Sequence, residues 1–135
     1  MNNIKNKSDI LIEKMKKDRG YILPEWEFAA RNDPDFAEAY NNLYRAALSD
    51  GKALPAKIRE LVAIGVLSFR REINGTKTHM LRAMRLGATK QEILEAVETS
   101  IIPGGAPTYS CGLKALMLAL EEQEDQEDNE KRKNI

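Results

Sequence analysis

The sequence predicts an all-α, single-domain protein built as a bundle of about six helices. Its apolar residues recur at helical spacing in every periodic segment, and no segment shows the alternation of a half-buried strand. Breaks rich in proline, glycine, asparagine and aspartate separate the periodic segments. A chain of 135 residues is also long enough to enclose one hydrophobic core.

The composition and net charge of the chain limit the kinds of molecule that it is expected to bind. Hydrophobic residues make up 42% of the chain and charged residues 31%, as in ordinary soluble globular proteins. The 21 basic residues balance the 21 acidic ones, so net charge favours neither nucleic acid nor an anionic membrane as a partner. No apolar stretch is long enough to cross a bilayer, and the N-terminus lacks the apolar core of a signal peptide. We therefore expect a cytoplasmic protein.

The chain has a single cysteine, Cys111, and a single histidine, His79. One cysteine cannot form an intrachain disulfide or a Cys-x-x-Cys redox pair. One thiol and one imidazole more than thirty residues apart make a poor zinc ligand set. We expect no metal site and no cofactor.

Start and stop signals divide the first half of the chain into three helices. Ser8 is the predicted N-cap of the first helix, which ends at Gly20. Pro24 is placed at the first position of the second helix, and Asp33 is the predicted N-cap of the third. The third helix carries a predicted apolar stripe of Phe36, Tyr40, Leu43 and Ala47.

The segment from Ile58 to Phe69 is apolar on almost every side. A helix with that pattern is buried on all sides, which requires several packing neighbours. In so small a domain, one of these packing neighbours could come from a partner subunit. Gly65 within the segment permits the close approach of a neighbouring helix.

A charged break at residues 70–75 separates this helix from the next one, which carries His79. Thr89 and Glu92 then form a capping box at the start of a further helix. If the chain stayed helical through the break, Glu72 and His79 would share one face, seven residues apart.

The strongest break in the chain, at residues 103–107, precedes a last helix that turns polar from Glu121. Its highly charged continuation cannot bury apolar surface, which predicts disorder. We therefore expect three parts: a helical extension over residues 1–20, the main domain over 21–122 and a disordered tail over 123–135.

Four segments carry a family resemblance. They are Lys-Ile-Arg-Glu-Leu at 57–61, His79, the run at 86–96 and Gly-Gly-Ala-Pro at 104–107. In this order and spacing they resemble the carboxymuconolactone decarboxylase-like family of the alkylhydroperoxidase D-like superfamily. The resemblance implies an all-α fold of about six helices that assembles into homo-trimers or homo-hexamers.

The chain departs from the thiol-dependent members of that superfamily. Those members carry Cys-x-x-Cys-x-x-x-His, and counting back from His79 places Glu72 and Gly75 at the two cysteine positions. Cys111 lies far along the chain from both. Because peroxide reduction requires a reactive thiolate, a thiol-dependent peroxidase or reductase is disfavoured.

The resemblance to the decarboxylase branch favours an enzyme, a decarboxylase-like lyase. It implies proton-transfer chemistry on a small carboxylated, lactone-type substrate, with His79 as general acid or base. Glu60 and Glu72 are the candidates to orient the imidazole or to share its proton. The alternative is a catalytically silent ligand-binding or accessory protein, in which His79 packs or caps a helix and Glu60 is a first-turn acid.

Candidate substrate-binding groups surround these acids in the sequence. Arg59, Arg71 or Arg82 could hold a substrate carboxylate, because a guanidinium offers two parallel donors. Backbone N–H groups at Gly104 and Gly105 could form an anion-binding concavity.

Overall fold

The computed structural model describes residues 5–135, and among these residues all regular secondary structure is helical. This confirms the predicted fold class. One segment, α7, is a single turn of four residues that overlaps the start of the predicted break at 103–107. The segments are α1 Lys7–Arg19, α2 Pro24–Asn32, α3 Pro34–Leu48, α4 Ala56–Phe69, α5 Ile73–Arg85, α6 Lys90–Thr99, α7 Ile101–Gly104 and α8 Ala106–Lys133.

The chain divides into two compact units, one ending at Gly51 and the other running from Lys52 to Ile135. The first unit contains α1, α2 and α3, and the second contains α4 to α8. All of the predicted site residues belong to the second unit. The boundaries expected near residues 20 and 122 stay predictions.

The helix starts of the first unit follow side-chain capping. Asp33 caps α3, as predicted, and accepts a hydrogen bond from the backbone N–H of Phe36 at 3.2 Å. The prediction for α1 was wrong, because Asn6 rather than Ser8 is the N-cap. The side chain of Asn6 accepts from the backbone N–H of Asp9 at 2.9 Å, which leaves Ser8 within the first turn. Asparagine and serine are comparable N-caps, so the sequence alone offered two starts.

A buried arginine organises the aromatic residues of the first unit. The guanidinium carbon of Arg19 lies 4.0 Å from the ring centroid of Tyr44, and it also lies over the rings of Trp26 and Tyr40. The rings of Trp26 and Tyr40 stack with centroids 4.9 Å apart. Trp26 is thus a packing residue, and cation–π attraction strengthens the cluster.

The predicted apolar stripe of α3 is largely exposed, contrary to expectation. Phe36 and Leu43 are 74% and 64% exposed. The buried positions of α3 are instead Ala37 and Asn41. Small and polar residues occupy the inner side of this helix, which leaves the large apolar side chains outside.

The core of the second unit lies where α4, α5, α6 and α8 pack together. The predicted capping box at the start of α6 is confirmed, with both of its hydrogen bonds present. Glu92 of this box also bonds to Lys57 of α4 at 2.9 Å, and the Lys57 bond is the main cause that lowers the pKa of Glu92. The core residues are Ile64, Met80, Leu81, Ala83, Ala88, Ile93, Val97, Ala115, Leu116 and Ala119.

Helix α4 is buried on one side only. Its buried residues include Glu60, Ile64 and Ser68, which recur every fourth position. Val62 and Val66 on another side are more than half exposed. The expected burial on every side is therefore not provided by the single chain.

The break between α4 and α5 lies at residues 70–72, and Asn74 and Gly75 belong to the first turn of α5. Arg71 has a left-handed backbone with φ of 58°, unlike any other described residue except glycine. Glu72 takes the N-cap position of α5. The two helices are thus separate.

Helix α8 continues to Lys133, through the segment where the sequence predicts a disordered tail. The segment is rich in glutamate, glutamine and lysine, which have high helix propensity. An ion pair of 3.0 Å joins Glu122 to Lys77 of α5 just before it. From residue 124 onward the helix is exposed along its whole length.

We expect Gly112→Ala to destabilise the protein by about 1–3 kcal/mol, because overpacking strains a close-packed core. A Cβ at Gly112 would lie 2.3 Å from Val97 Cγ1, at the contact between α8 and α6. Denaturant unfolding measures the change. Met117→Ala, on the exposed side of the same helix, is the control and should change stability by less than about 0.5 kcal/mol. Equal stability of Gly112→Ala and the parent would contradict this packing.

Candidate functional site

A buried carboxylate lies at the centre of the candidate site. Glu60, in the second turn of α4, has no solvent-exposed surface. Its Oε2 atom lies 2.6 Å from Nδ1 of His79, and its Oε1 atom accepts a hydrogen bond of 2.5 Å from Nη1 of Arg82. Each carboxylate oxygen therefore has its own partner.

Two helices supply these three side chains. His79 and Arg82 are three residues apart on α5, so they project from the same side of that helix. Glu60 projects from the buried side of α4, which packs closely against α5. Helical spacing and the packing of two helices are enough to bring the three groups together.

Burial makes the charges of this site expensive to keep. Removing a carboxylate from water costs several kcal/mol, and the attraction of a buried cation offsets this only with good hydrogen-bonding geometry. The Arg82 side chain is 11% exposed and that of His79 is 20% exposed, so His79 is the member nearest solvent. A purely structural position would be filled more stably by apolar groups, which favours a functional reason for Glu60.

Arg82 is therefore placed differently from what the sequence analysis proposed. Its guanidinium is directed at Glu60 inside the protein, instead of being presented to a substrate carboxylate. The sequence did contain a signal for this, since the spacing of Arg82 from His79 puts the two on one helix face.

Glu72 lies at the start of α5, two helical turns before His79. Its Cγ atom packs over Gly75, where a Cβ would come within 3.0 Å of it. Glu72 and Gly75 take the two positions that hold cysteines in thiol-dependent members. The Glu72 side chain covers the space that a side chain at position 75 would fill. The backbone of Glu72 is not helical, with φ of −92° and ψ of 83°, so the continuous helix that would put Glu72 and His79 on one face is not present.

Arg71 lines a surface cavity of about 260 Å³ between the starts of α5 and α8. A second cation, Lys114, and the hydroxyl of Ser110 belong to the same cavity. Arg59 of α4 is half-buried and lines neither this cavity nor the apolar one described below. Of the predicted arginines, Arg71 is thus the one that lines one of these two cavities.

The two glycines of the predicted anion concavity are already engaged. The backbone N–H of Gly104 donates to the carbonyl of Ser100 at 3.0 Å, and that of Gly105 donates to the carbonyl of Ile101 at 2.7 Å. Gly105 has a φ of 75°, the left-handed conformation that starts α8. These backbone N–H groups donate hydrogen bonds within the junction between α7 and α8, which disfavours the predicted anion-binding role.

Cys111 lies closer to the predicted site than its position in the chain suggested. It is buried on α8 and lines the same cavity as Arg71. Burial raises the pKa of its thiol above the ordinary value, and the negative charge of Glu72 raises it further, while Lys114 and Arg71 lower it. The thiol is thus kept in its protonated, weakly nucleophilic form at neutral pH.

A larger cavity of about 520 Å³ opens on the exposed side of α4, between this helix and α6. Its walls are almost wholly apolar, and His79 is not among them. No local pattern in the sequence indicates this cavity, because its walls come from helices that are distant in the chain. Its lining residues are Ile58, Leu61, Val62, Gly65, Val66, Phe69, Ala96, Thr99, Ser100 and Pro103.

Residues 5–135 lack two further features. No cluster of three or more histidine, cysteine or acidic side chains in this range is arranged to hold a metal ion. None of the helices in the same range has the length and apolar character needed to cross a membrane.

These features define an all-α protein with a buried Glu–Arg–His set between two packed helices. The sequence profile of the Carboxymuconolactone decarboxylase family matches residues 34–117, which is more than half of the chain. The chain belongs to this family.

Two solved structures agree with this assignment, and the chain is also similar to an uncharacterized relative. The uncharacterized protein MJ1511 of Methanocaldococcus jannaschii is 32% identical over 91 residues, covering 67% of this chain and 84% of the relative. A crystal structure of a candidate carboxymuconolactone decarboxylase from Burkholderia xenovorans is similar with a TM-score of 0.76 and 25% identity, over 90% of this chain and 98% of that one. A carboxymuconolactone decarboxylase family protein from Legionella pneumophila, in its apo form, gives a TM-score of 0.68 and 26% identity over 82% and 96% of the two chains.

We expect Cys111 to react slowly with a thiol reagent such as DTNB in the folded protein at neutral pH. Burial limits access to the sulfur, and the raised pKa keeps the thiolate fraction small. The rate of colour development measures this, and the same protein in denaturant, where the thiol is exposed, is the control. Equal rates in the two samples would show that the thiol is accessible and reactive in the folded protein. That result would favour a thiol-dependent peroxidase or reductase.

Proposed function

We propose that the protein is a decarboxylase-like lyase that acts on a small carboxylated substrate of the lactone type. His79 is the general acid or base of this reaction, and Glu60 orients its ring. The observation that carries the proposal is the 2.6 Å contact between His79 Nδ1 and a fully buried carboxylate. Family membership supports the reaction class.

The chemistry requires proton transfer and no external electron acceptor or donor. Loss of CO₂ breaks a C–C bond and leaves its electron pair on the substrate as a dienolate. The His79 ring takes up a proton from solvent water, and transfer of this proton to the dienolate forms the new C–H bond and returns the ring to its neutral form. The Glu60 carboxylate stabilises the positive ring before it gives up this proton.

Two of the predicted residues remain candidates for contact with the substrate. Arg71, with Lys114 beside it, offers positive charge in a cavity that suits a carboxylate. Glu72 is a second acid at the start of the helix that carries His79. We propose that Arg71 binds the substrate carboxylate and that Glu72 takes part in proton exchange.

We also propose that the protein works as a homo-oligomer, a trimer or hexamer, in the cytoplasm. The exposed side of α4 supports the assembly, because Val62, Val66 and Phe69 are each more than half exposed next to the large apolar cavity. Contiguous apolar surface of this kind is typical of protein–protein contacts. Obligate interfaces resemble a hydrophobic core cut in half.

Thiol-dependent peroxidase chemistry is disfavoured on two grounds. Glu72 and Gly75 take the positions of the usual cysteines, and the thiol of Cys111 is buried with a raised pKa. A catalytically silent ligand-binding protein is the remaining alternative, and the experiment below separates it from the lyase.

We expect His79→Gln to lower turnover by about 100-fold to 10,000-fold, the usual contribution of a general acid or base. Release of CO₂ from a panel of carboxylated lactones measures the effect. Oligomer size and thermal stability of the variant should match those of the parent.

Three outcomes of the same experiment are informative. Collapse of stability in His79→Gln would show that the histidine is structural. Unchanged turnover would contradict its catalytic role. Binding of panel members by the parent without any turnover would support the silent alternative.

We expect Val62→Glu combined with Val66→Glu to break the oligomer into smaller species, because two carboxylates would have to be buried in the contact. Sedimentation velocity of the variant and the parent measures the change. Lys90→Glu, at an exposed position at the start of α6, is the control for an added acid. A parent that is monomeric, or a double variant that assembles like the parent, would contradict the proposed contact.

A further inference from the structure

We infer that Arg82 is a positioning residue that fixes which nitrogen of His79 carries the proton. In this arrangement Arg82 holds Glu60 as a carboxylate, Nδ1 of His79 donates its hydrogen to that carboxylate, and Nε2 is unprotonated in the resting site. Nε2 is then the atom that takes up and delivers protons. This last step rests on the proposed function, whereas the placement of the proton does not.

The contacts of Glu60 allow two protonation states of the Glu60–His79 pair, and the second state holds one proton more than the first. In the first, Glu60 is a carboxylate and the proton sits on Nδ1 of His79. In the second, Glu60 is a neutral acid whose Oε2–H donates to Nδ1, and the ring proton sits on Nε2. The 2.6 Å distance between Nδ1 and Oε2 fits both arrangements, so this contact alone does not decide between them.

The contact on the other carboxylate oxygen decides between them. A guanidinium is a donor that stays protonated in proteins, so Oε1 of Glu60 must accept the 2.5 Å hydrogen bond from Arg82. Such charge-assisted bonds to a carboxylate are about twice as strong as neutral ones. The second arrangement would remove the negative charge that faces this buried cation, at a cost that rises with burial. The first arrangement is therefore favoured, and its net charge with a neutral imidazole is zero.

The helix geometry makes Arg82 suited to this task. Arg82 and His79 lie three residues apart on α5 and approach the two oxygens of one carboxylate. The plane of the Glu60 carboxylate is thereby set by partners on a single helix. Arg85, at the exposed end of the same helix, serves as a matched control for loss of a cation.

The chain's single histidine makes the inference directly measurable. Protein labelled with ¹⁵N-histidine gives ring nitrogen signals from His79 alone, and their chemical shifts report which nitrogen carries a proton. The spectrum is recorded at the lowest pH at which the parent ring is singly protonated. We expect the parent to carry this proton on Nδ1.

Three variants then test the part played by Arg82 at that same pH. Arg82→Met removes the cation, so the Glu60–His79 pair should bind one more proton and Nε2 should become protonated. Arg82→Lys keeps the charge and should leave Nε2 unprotonated. Arg85→Met should give the spectrum of the parent. Circular dichroism confirms that each variant is folded.

Two results would overturn the inference. A singly protonated parent ring whose proton is on Nε2 would overturn the inference. This test needs no variant, so it can be made even if Arg82→Met does not fold. A folded Arg82→Met protein whose Nε2 stays unprotonated would show that Arg82 does not control the site. Neither result depends on turnover, and a failure to release CO₂ would contradict the proposed function while leaving the proton placement intact.

Discussion

The burial of one carboxylate between two helices is the constraint on which the second unit depends. Glu60 reaches the inside of the α4–α5 contact only because Arg82 and His79 meet its two oxygens there. A buried carboxylate without partners would destabilise the fold by several kcal/mol. The packing of α4 against α5 and the geometry of the site therefore depend on the same three side chains.

Local signals in the sequence predicted much of the fold. Asp33, Thr89 and Glu92 act within one helical turn, so the helix starts that they specify were correct. The predicted N-cap of the first helix was wrong, because Asn6 and Ser8 are both suitable N-cap residues and lie only two positions apart. Periodicity indicated helices throughout, and the family resemblance supplied the arrangement that periodicity alone does not contain.

Features set by contacts between distant segments could not be read in the same way. The sequence pointed to Glu60 and His79 as site residues, and the structure brings them together. The sequence suggested Arg82 as a ligand of the substrate. Its actual partner, Glu60, lies 22 residues away, and no local pattern indicates that contact. Cys111 is remote from the predicted site in the sequence, but the cavity that it shares with Arg71 forms when α8 folds against α5. The apolar character of α4 was recognised, but which of its sides meets a neighbour depends on the whole bundle.

The packing of Glu72 over Gly75 bears on how this chain is related to thiol-dependent members of its superfamily. Any side chain introduced at Gly75 meets the Cγ atom of Glu72 at 3.0 Å, whereas a change at Glu72 meets no such obstacle from the hydrogen atom at Gly75. A side chain at position 75 therefore requires the Glu72 side chain to move aside by a few tenths of an ångström. The conformation of the exposed Glu72 side chain is thus coupled to the residue that occupies position 75.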